Sequence, residues 1–291
     1  MNHITSPNEP YPSPTMLSQA TTTHRQGNFE ISSRKLPISK SDPIDAMSAR
    51  LGIPVPEMIF GDNLMAVRHA PSGWAVEFTA EAALDLVDKT GANMLQVAYA
   101  GEWSSSRERS SAHDIREVVK PFDWSYTTAY RGGEAPALHG PVAGRSLEVE
   151  VVPAGSGAKE IPLELLRRRD PILFFDEVVL FESELDDNGI SIFSCKVRVM
   201  EQRMLLLARL YMRLDNVVVR VRDTRVYVDF EKDEVIREYT AKEDTYANVK
   251  RNLVMSGLLP DAVTAAFRDS NQVAHLVPVV EHQVESVTLS A

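Results

Sequence analysis

The chain has 291 residues, a formal net charge of −10 and a single cysteine. An acidic balance of that size repels phosphate backbones and anionic lipid, which excludes nucleic acid and membrane surfaces as general partners. The length suffices for one substantial core, and the longest apolar runs, PILFF (171–175) and MLLLA (204–208), fall far short of the roughly 20 residues of a membrane helix.

Residues 1–28 are rich in Ser, Thr, Pro and Asn and poor in aliphatics, so they are expected to form a disordered arm, with Ser6-Pro7 and Ser13-Pro14 as potential phosphorylation sites. The polar start carries no apolar signal-peptide core. Residues 29–291 are expected to form one domain. SDPIDAMSARLGIP (41–54) is punctuated as a short helix, with Asp42 as cap, Pro43 at the first helical position, Ile44, Met47 and Leu51 on one face, and Gly52 then Pro54 as the stop. GWAVEFTA (73–80) alternates as a strand, and EAALDLVDKTG (81–91) follows as a helix presenting Ala83, Leu84 and Val87. MLQVAYA (94–100) and LEVEVV (147–152) read as further strands, whereas 104–114, 131–144 and AGSGAKE (154–160) read as loops and PLELLRRR (162–169) as a short helix.

Between 172 and 240 successive extended runs are broken by DDNG (186–189), EQ (201–202), DN (215–216) and EKDE (231–234). Each break is short enough to join neighbouring antiparallel strands, which predicts a meander and an α+β fold of antiparallel β-sheets, two of them packed, with peripheral helices. After Tyr246 the pattern turns helical, with PDAVTAAFRD (260–269) opening on a Pro-Asp signal and 271–287 giving mixed elements. Cys195 lies in the apolar run ISIFSCKVRV (190–199), where a buried reduced thiol is expected. That points to a reducing compartment, the cytoplasm with the nucleus as a second location.

The stretch VVVRVRDTRVYVDF (217–230) places three arginines in a valine-rich strand. Taking Asp215-Asn216 as a two-residue turn sets Leu214 opposite Val217, Met212 opposite Val219 and Leu210 opposite Val221. On the other side Arg213 then faces Val218, Tyr211 faces Arg220 and Arg209 faces Arg222. One face is apolar, and the other is a basic field around a tyrosine. It is either a hydrated sheet surface with arginine stems over the ring, or a recess awaiting an anion that relieves the Arg209/Arg222 repulsion. A carboxylate suits the second reading, because a guanidinium fork grips both its oxygens. Asp223 is then either a turn or bulge residue or the group that holds an arginine, and Arg225 reaches the ligand.

Chemistry for an enzyme is sparse. The seven histidines form no HExxH pair and sit with no cysteine pair, there is no GxSxG elbow, and 154–160 lacks the GK[ST] ending of a phosphate loop. No metal, no cofactor and no catalytic residue are expected. A rival reading, an enzyme or binding module acting on a small anion in the arginine-lined cleft, has only Asp223, Tyr211 and Tyr239 as candidate groups. A third reading is a scaffold that acts through its acidic surface.

Five separated blocks carry a resemblance: PEMIFGDN (56–63), IREVVKPFDWSYTTAYRG (115–132), ILFFDEVVLFESELDDNGIS (172–191), VRVM (197–200), and RLDNVVVRVRDTRVY (213–227) continued by REYT (237–240). In this order they resemble the TIPRL family, TOR-signalling regulators that bind catalytic subunits of type 2A serine/threonine phosphatases. The resemblance implies an α+β domain without enzymatic activity, acting as inhibitor or assembly factor, with a cleft for the phosphatase's carboxylate-ended C-terminal tail. A phosphatase-associated regulatory protein is a further implied partner. Carried over by position, Ile161, Val221 and Asp223 are the expected binding residues, with Arg225 and Tyr239 as neighbours. Trp124 and Tyr126 are cleft aromatics or core residues, and Glu57 and Asn63 shape the turn around Gly61. Departures from the family pattern are Ala82 after the EF strand, SSRK (32–35) in place of a tryptophan-bearing segment, and a longer 131–144 loop.

Overall fold

The computed structural model describes residues 12–90, 122–133, 150–153 and 159–289. The expected strand at 94–100, the loops at 104–114 and 134–144, and residues 147–149 and 154–158 lie outside the described residues.

Helix α1 (Pro14–Ala20) leads into β1 (Thr21–Gln26) and β2 (Phe29–Arg34), followed by α2 (Ser41–Leu51), β3 (Met58–Ile59), β4 (Leu64–His69), β5 (Ala75–Thr79) and α3 (Ala80–Asp85). Strands β1-β2-β4-β5 make a small antiparallel sheet. The chain then supplies β6 (Glu150–Pro153), α4 (Leu163–Arg167), β7 (Phe174–Ser183), β8 (Gly189–Val199), β9 (Arg203–Leu214), β10 (Val218–Asp229) and β11 (Glu234–Thr245). Helices α5 (Tyr246–Met255), α6 (Pro260–Ala266) and α7 (Ser270–Val273) precede the last strand, β12 (Val279–Thr288). The large sheet is ordered β3-β7-β8-β9-β10-β11-β12-β6 and antiparallel throughout, so the fold is α+β and β7 to β11 form the expected meander. All four breaks expected within it lie at junctions of consecutive strands, with Gly189 and Glu234 already the first residues of β8 and β11.

Alternation along the strands builds the core. Val178, Leu180, Cys195, Val197 and Leu206 of the large sheet are wholly buried in one cluster with Ile31, Met65, Val67 and Phe78 of the small sheet. Each such side chain contributes roughly 1.5–3 kcal/mol by leaving water. This shared face of the large sheet is called the inner face below. Asn63 stitches the layers further, since its Oδ1 accepts from Leu36 N at 2.6 Å and its Nδ2 donates to the Val179 carbonyl at 2.8 Å.

Two expectations at the N-terminal side need correcting. Within the stretch expected to be a disordered arm, residues 14–26 are ordered: Ser13 caps α1 by accepting from Met16 N, and all of β1 pairs with β2. Backbone pairing, to which composition is blind, holds this edge strand. Helix α2 starts at Ser41 with Lys40 as its N-cap, so Asp42 sits in the first turn and not at the cap, while Gly52 ends the helix at φ 71° as expected.

Segment 122–133 crosses from one sheet to the other. Tyr130 donates its hydroxyl to the Glu77 carbonyl at 2.7 Å, Gly133 pairs with Glu77, and Thr224 Oγ1 donates to the Tyr130 carbonyl at 3.4 Å. Gly132 turns this strap at φ +92°, with space for a Cβ closed off by Val76 Cγ2 at 2.5 Å and Phe78 Cζ at 2.9 Å. Gly132→Ala should therefore lower unfolding free energy by about 2–4 kcal/mol, read from the urea midpoint at unchanged slope.

The far end of the small sheet is tied by Asp233, at φ 47° in the β10–β11 turn. It accepts from Asn28 Nδ2 at 3.0 Å and lies 3.4 Å from Nε2 of the wholly buried His69, whose Nδ1 is 2.7 Å from Ser72 Oγ. Burial outweighs the Asp233 attraction and lowers the His69 pKa below its ordinary 6.5. Below that pH the unfolded chain binds a proton that the fold refuses, so this contribution is present at neutral pH and is lost as pH falls from 6.5 toward the folded value. His69→Gln should flatten the decline in stability between about pH 7.5 and about pH 5.5, measured by urea denaturation across that range.

Candidate functional site

The turn between β9 and β10 determines which arginines meet. Only Asn216 has a left-handed backbone, at φ 65°, whereas a two-residue type I′ turn needs positive φ at both central positions. The loop therefore takes a third residue, Val217, whose N donates to the Leu214 carbonyl at 3.0 Å, and β9 pairs with β10 from Leu214 opposite Val218. The expected register is wrong by one residue. Arg209 lies opposite Asp223, Tyr211 opposite Val221, Met212 opposite Arg220 and Leu210 opposite Arg222. Period-two alternation then puts Arg220 and Arg222 on the inner face and Arg209, Tyr211, Val221, Asp223 and Arg225 on the outer one. The single basic recess around Tyr211 and Arg220 does not exist, and neither does the Arg209/Arg222 repulsion.

On the inner face the arginines are internally matched. Arg220 Nε donates to Glu243 Oε2 at 2.7 Å and its Nη1 reaches Thr127 Oγ1 at 3.3 Å and Asp123 Oδ2 at 3.8 Å. Arg222 donates to the same Glu243 oxygen at 3.2 Å and to the Lys242 carbonyl at 2.7 Å. Tyr239 is buried on this face with the Arg131 guanidinium 4.1 Å above its ring, and Arg131 is itself paired with Glu281 at 3.0 Å. Tyr126, at φ 55°, packs on Phe122 and Phe181 and donates to the Pro54 carbonyl at 3.2 Å, while half-buried Trp124 packs against the same core. Core packing, the alternative weighed for both aromatics, is where the structure places them.

The outer face is covered at two places and polar between them. Helices α5 to α7 close one end over Tyr211, Val219 and Val221, with Val249, Leu253, Val263 and Phe267. The Phe267 carbonyl, near the end of α6, accepts from Tyr211 Oη at 2.8 Å and Arg213 Nη1 at 3.0 Å, which docks the helices on the sheet. Segment 159–170 closes the other end, where Ile161 packs with Tyr227, Ile236 and Val284 and Arg203 donates to the Leu165 carbonyl at 2.7 Å and pairs with Asp170.

Between these covers a charged band runs across four strands. Arg209 grips the wholly buried Asp223 with both ends of its fork, Nε to Oδ1 at 2.7 Å and Nη2 to Oδ2 at 2.8 Å, and also reaches Asn271 Oδ1 at 3.1 Å. Arg225 donates to Asp223 Oδ2 at 3.1 Å and to Glu238 Oε2 at 3.0 Å, and Glu238 in turn meets His282 at 2.9 Å. Lys242 donates to the Ala274 carbonyl at 2.8 Å, and burial lowers its pKa against the pull of Asp223. Arg225 keeps a quarter of its side chain open, at 27% exposure. Asp223 is not a bulge residue, since the β9–β10 register runs through it unbroken.

The groups named for catalysis in the rival reading are all engaged. Both Asp223 oxygens are taken by arginine, Tyr211 Oη donates a hydrogen bond to the Phe267 carbonyl while burial pushes its pKa well above 10, and burial also raises that of Tyr239, whose ring lies under Arg131. Of the residues expected to bind, Ile161, Arg209, Tyr211, Val221, Asp223 and Arg225 share the outer face, Arg220, Arg222 and Tyr239 the inner one. Sequence reading missed Lys242, Glu238, Glu243, Arg131 and His282, whose partners are set by strand pairing and carry no local motif. Among the described residues no group of three or more His, Cys, Asp or Glu side chains could hold a metal ion.

The sequence matches the TIP41-like family over residues 58–250. It is 37% identical over 262 residues to the TIP41-like protein of Rattus norvegicus, covering 90% of this chain and 88% of that protein. It is 36% identical over 276 residues to the type 2A phosphatase activator TIP41 of Saccharomyces cerevisiae, covering 89% of this chain and 73% of that protein. The type 2A phosphatase activator tip41 of Schizosaccharomyces pombe is 32% identical over 247 residues, covering 85% and 90%. With identities above 30% across most of both partners, and a family match through β3 to α5, the chain belongs to the TIP41-like family.

Proposed function

We propose that this protein is a regulator, without catalysis of its own, of type 2A-family serine/threonine phosphatases in TOR-linked signalling, and that it binds their catalytic subunit with the C-terminal tail lying along the outer-face band. The observation that carries the reading is the Arg209–Asp223–Arg225 cluster, set in a gap between two apolar covers with Lys242 and Glu238 beside it. Arg209, Arg225 and Lys242 oppose Asp223 and Glu238 there, which leaves one cation for an incoming carboxylate, and Val221 and Ile161 floor the flanking covers. The names of the two yeast relatives support a phosphatase as the partner. Those names speak of activation, which an assembly factor delivering a working enzyme accommodates better than an inhibitor does. A phosphatase-associated regulatory protein as a further partner, and a cytoplasmic and nuclear location, belong to the same proposal. Engagement of Asp223, Tyr211 and Tyr239 weighs against the small-anion enzyme.

Calorimetry with full-length and tail-truncated catalytic subunit tests the reading. Arg225→Glu should weaken binding of the full-length subunit by about 2–5 kcal/mol and leave the truncated one unchanged. Arg220→Glu, on the opposite face against Glu243, should leave binding unchanged and lower folding stability instead. Equal affinity of wild type and Arg225→Glu for the full-length subunit would remove the band from the interface. Asp223→Asn, which strands two guanidinium groups beside a buried amide, should cost about 3–5 kcal/mol of folding free energy, measured by urea unfolding.

A further inference from the structure

The outer face of the large sheet continues past the arginine band over β7, β8 and β9. There Phe175 stands opposite Arg198 and Arg198 opposite Leu205, and in the adjoining row Glu177 stands opposite Lys196 and Lys196 opposite Leu207. Phe175 is 55% exposed, and Arg198, Leu205 and Leu207 are half-buried. The other face of these same strands is closed, with Val178, Cys195, Val197 and Leu206 wholly buried. Apart from Leu205, the outward positions have no core to fill among the described residues, and alternation would allow polar residues there. Single exposed apolar side chains are ordinary, but adjoining ones in cross-strand register make a patch, and patches mark contact surfaces. Leu205 also packs against the Ile161 cluster, so the patch runs on into the covered end of the face.

Charge indicates what the patch accepts. Glu177 is matched by Lys196 at 3.0 Å, whereas Arg198, between Phe175 and Leu205, makes no ion pair among the described residues. A guanidinium with no carboxylate partner among the described residues, flanked by an aromatic and a leucine, is locally complementary to an acidic ligand with an apolar anchor, against the overall charge of the chain.

We propose that the Phe175–Arg198–Leu205 row is a docking site for a short acidic protein segment bearing an aromatic or aliphatic anchor. The anchor packs on Phe175 and Leu205, and a carboxylate beside it takes the fork of Arg198. This site does not depend on the phosphatase reading, and its ligand needs no free C-terminus.

The test is fluorescence anisotropy on the full chain with a labelled peptide, Glu-Glu-Phe-Glu-Glu-Leu-Glu-Glu, blocked at both ends so that it cannot imitate a terminal carboxylate. Wild type should bind it saturably, Arg198→Glu and Phe175→Ser should each weaken binding about tenfold or more, and the same charge reversal at exposed Arg50 on α2 should leave it unchanged. A peptide with Ser in place of Phe and Leu should lose binding to a similar extent. Because Phe175 is largely exposed, its variant should keep the wild-type melting transition, which a thermal scan checks. No saturable binding by wild type, or equal affinity of the variants, overturns the proposal. So does a wild-type dimer in sedimentation that Phe175→Ser dissociates, since the patch would then be an interface between copies of this chain.

Discussion

A buried carboxylate gripped by two arginines governs the outer face of this protein. Asp223 is wholly removed from water, and that is tolerable only because Arg209 supplies a two-point clasp and Arg225 a third donor. Removing a charge from water costs several kcal/mol, so the three side chains hold one another in place and the strands that carry them cannot slide. Helices α5 to α7 and segment 159–170 then settle on either side, because the apolar residues of the same face lie in two groups separated by this ionic one.

The alternation of buried and open positions, the four breaks of the meander and the antiparallel α+β architecture were all legible in the sequence, since each follows from local periodicity and turn chemistry. The pairing of β9 with β10 was not. Asp215 and Asn216 both tolerate a left-handed backbone, so residue type alone did not distinguish a two-residue turn from a three-residue one that borrows Val217, and one residue of slip exchanges the faces of a whole strand. The result parts Tyr211 from Arg220 and replaces a like-charge pair with the Arg209–Asp223 clasp. Strand β1 escaped for the opposite reason. TTTHRQ has almost nothing to bury, and its order comes from hydrogen bonds to β2.

The two faces of β10 divide the work. Inward, Arg220 and Arg222 converge on Glu243, and Arg131 lies across Tyr239, so that basic residues become part of the joint between the large sheet and the strap at 122–133. Outward, the arginines stand in a gap between two covers, where Arg225 retains contact with solvent. A basic strand in an acidic chain is thus explained twice over, by internal neutralisation on one side and by a partly open charged band on the other. The resemblance that drew attention to Tyr239 and Val221 together joined residues on opposite faces of the sheet.

The ties between the two sheets also bear on how the chain reaches this structure. Asn63 meets Val179 across 116 residues, Gln26 meets Glu201 across 175 and Asn28 meets Asp233 across 205. During synthesis the small sheet emerges well before the strands that cover its apolar side, leaving Phe29, Ile31, Val67 and Phe78 without their large-sheet partners until β7 to β9 have been made. Closure of β7 to β9 over that face is thus a long-range event, joining an apolar surface encoded in the first third of the polypeptide to strands encoded in its second half.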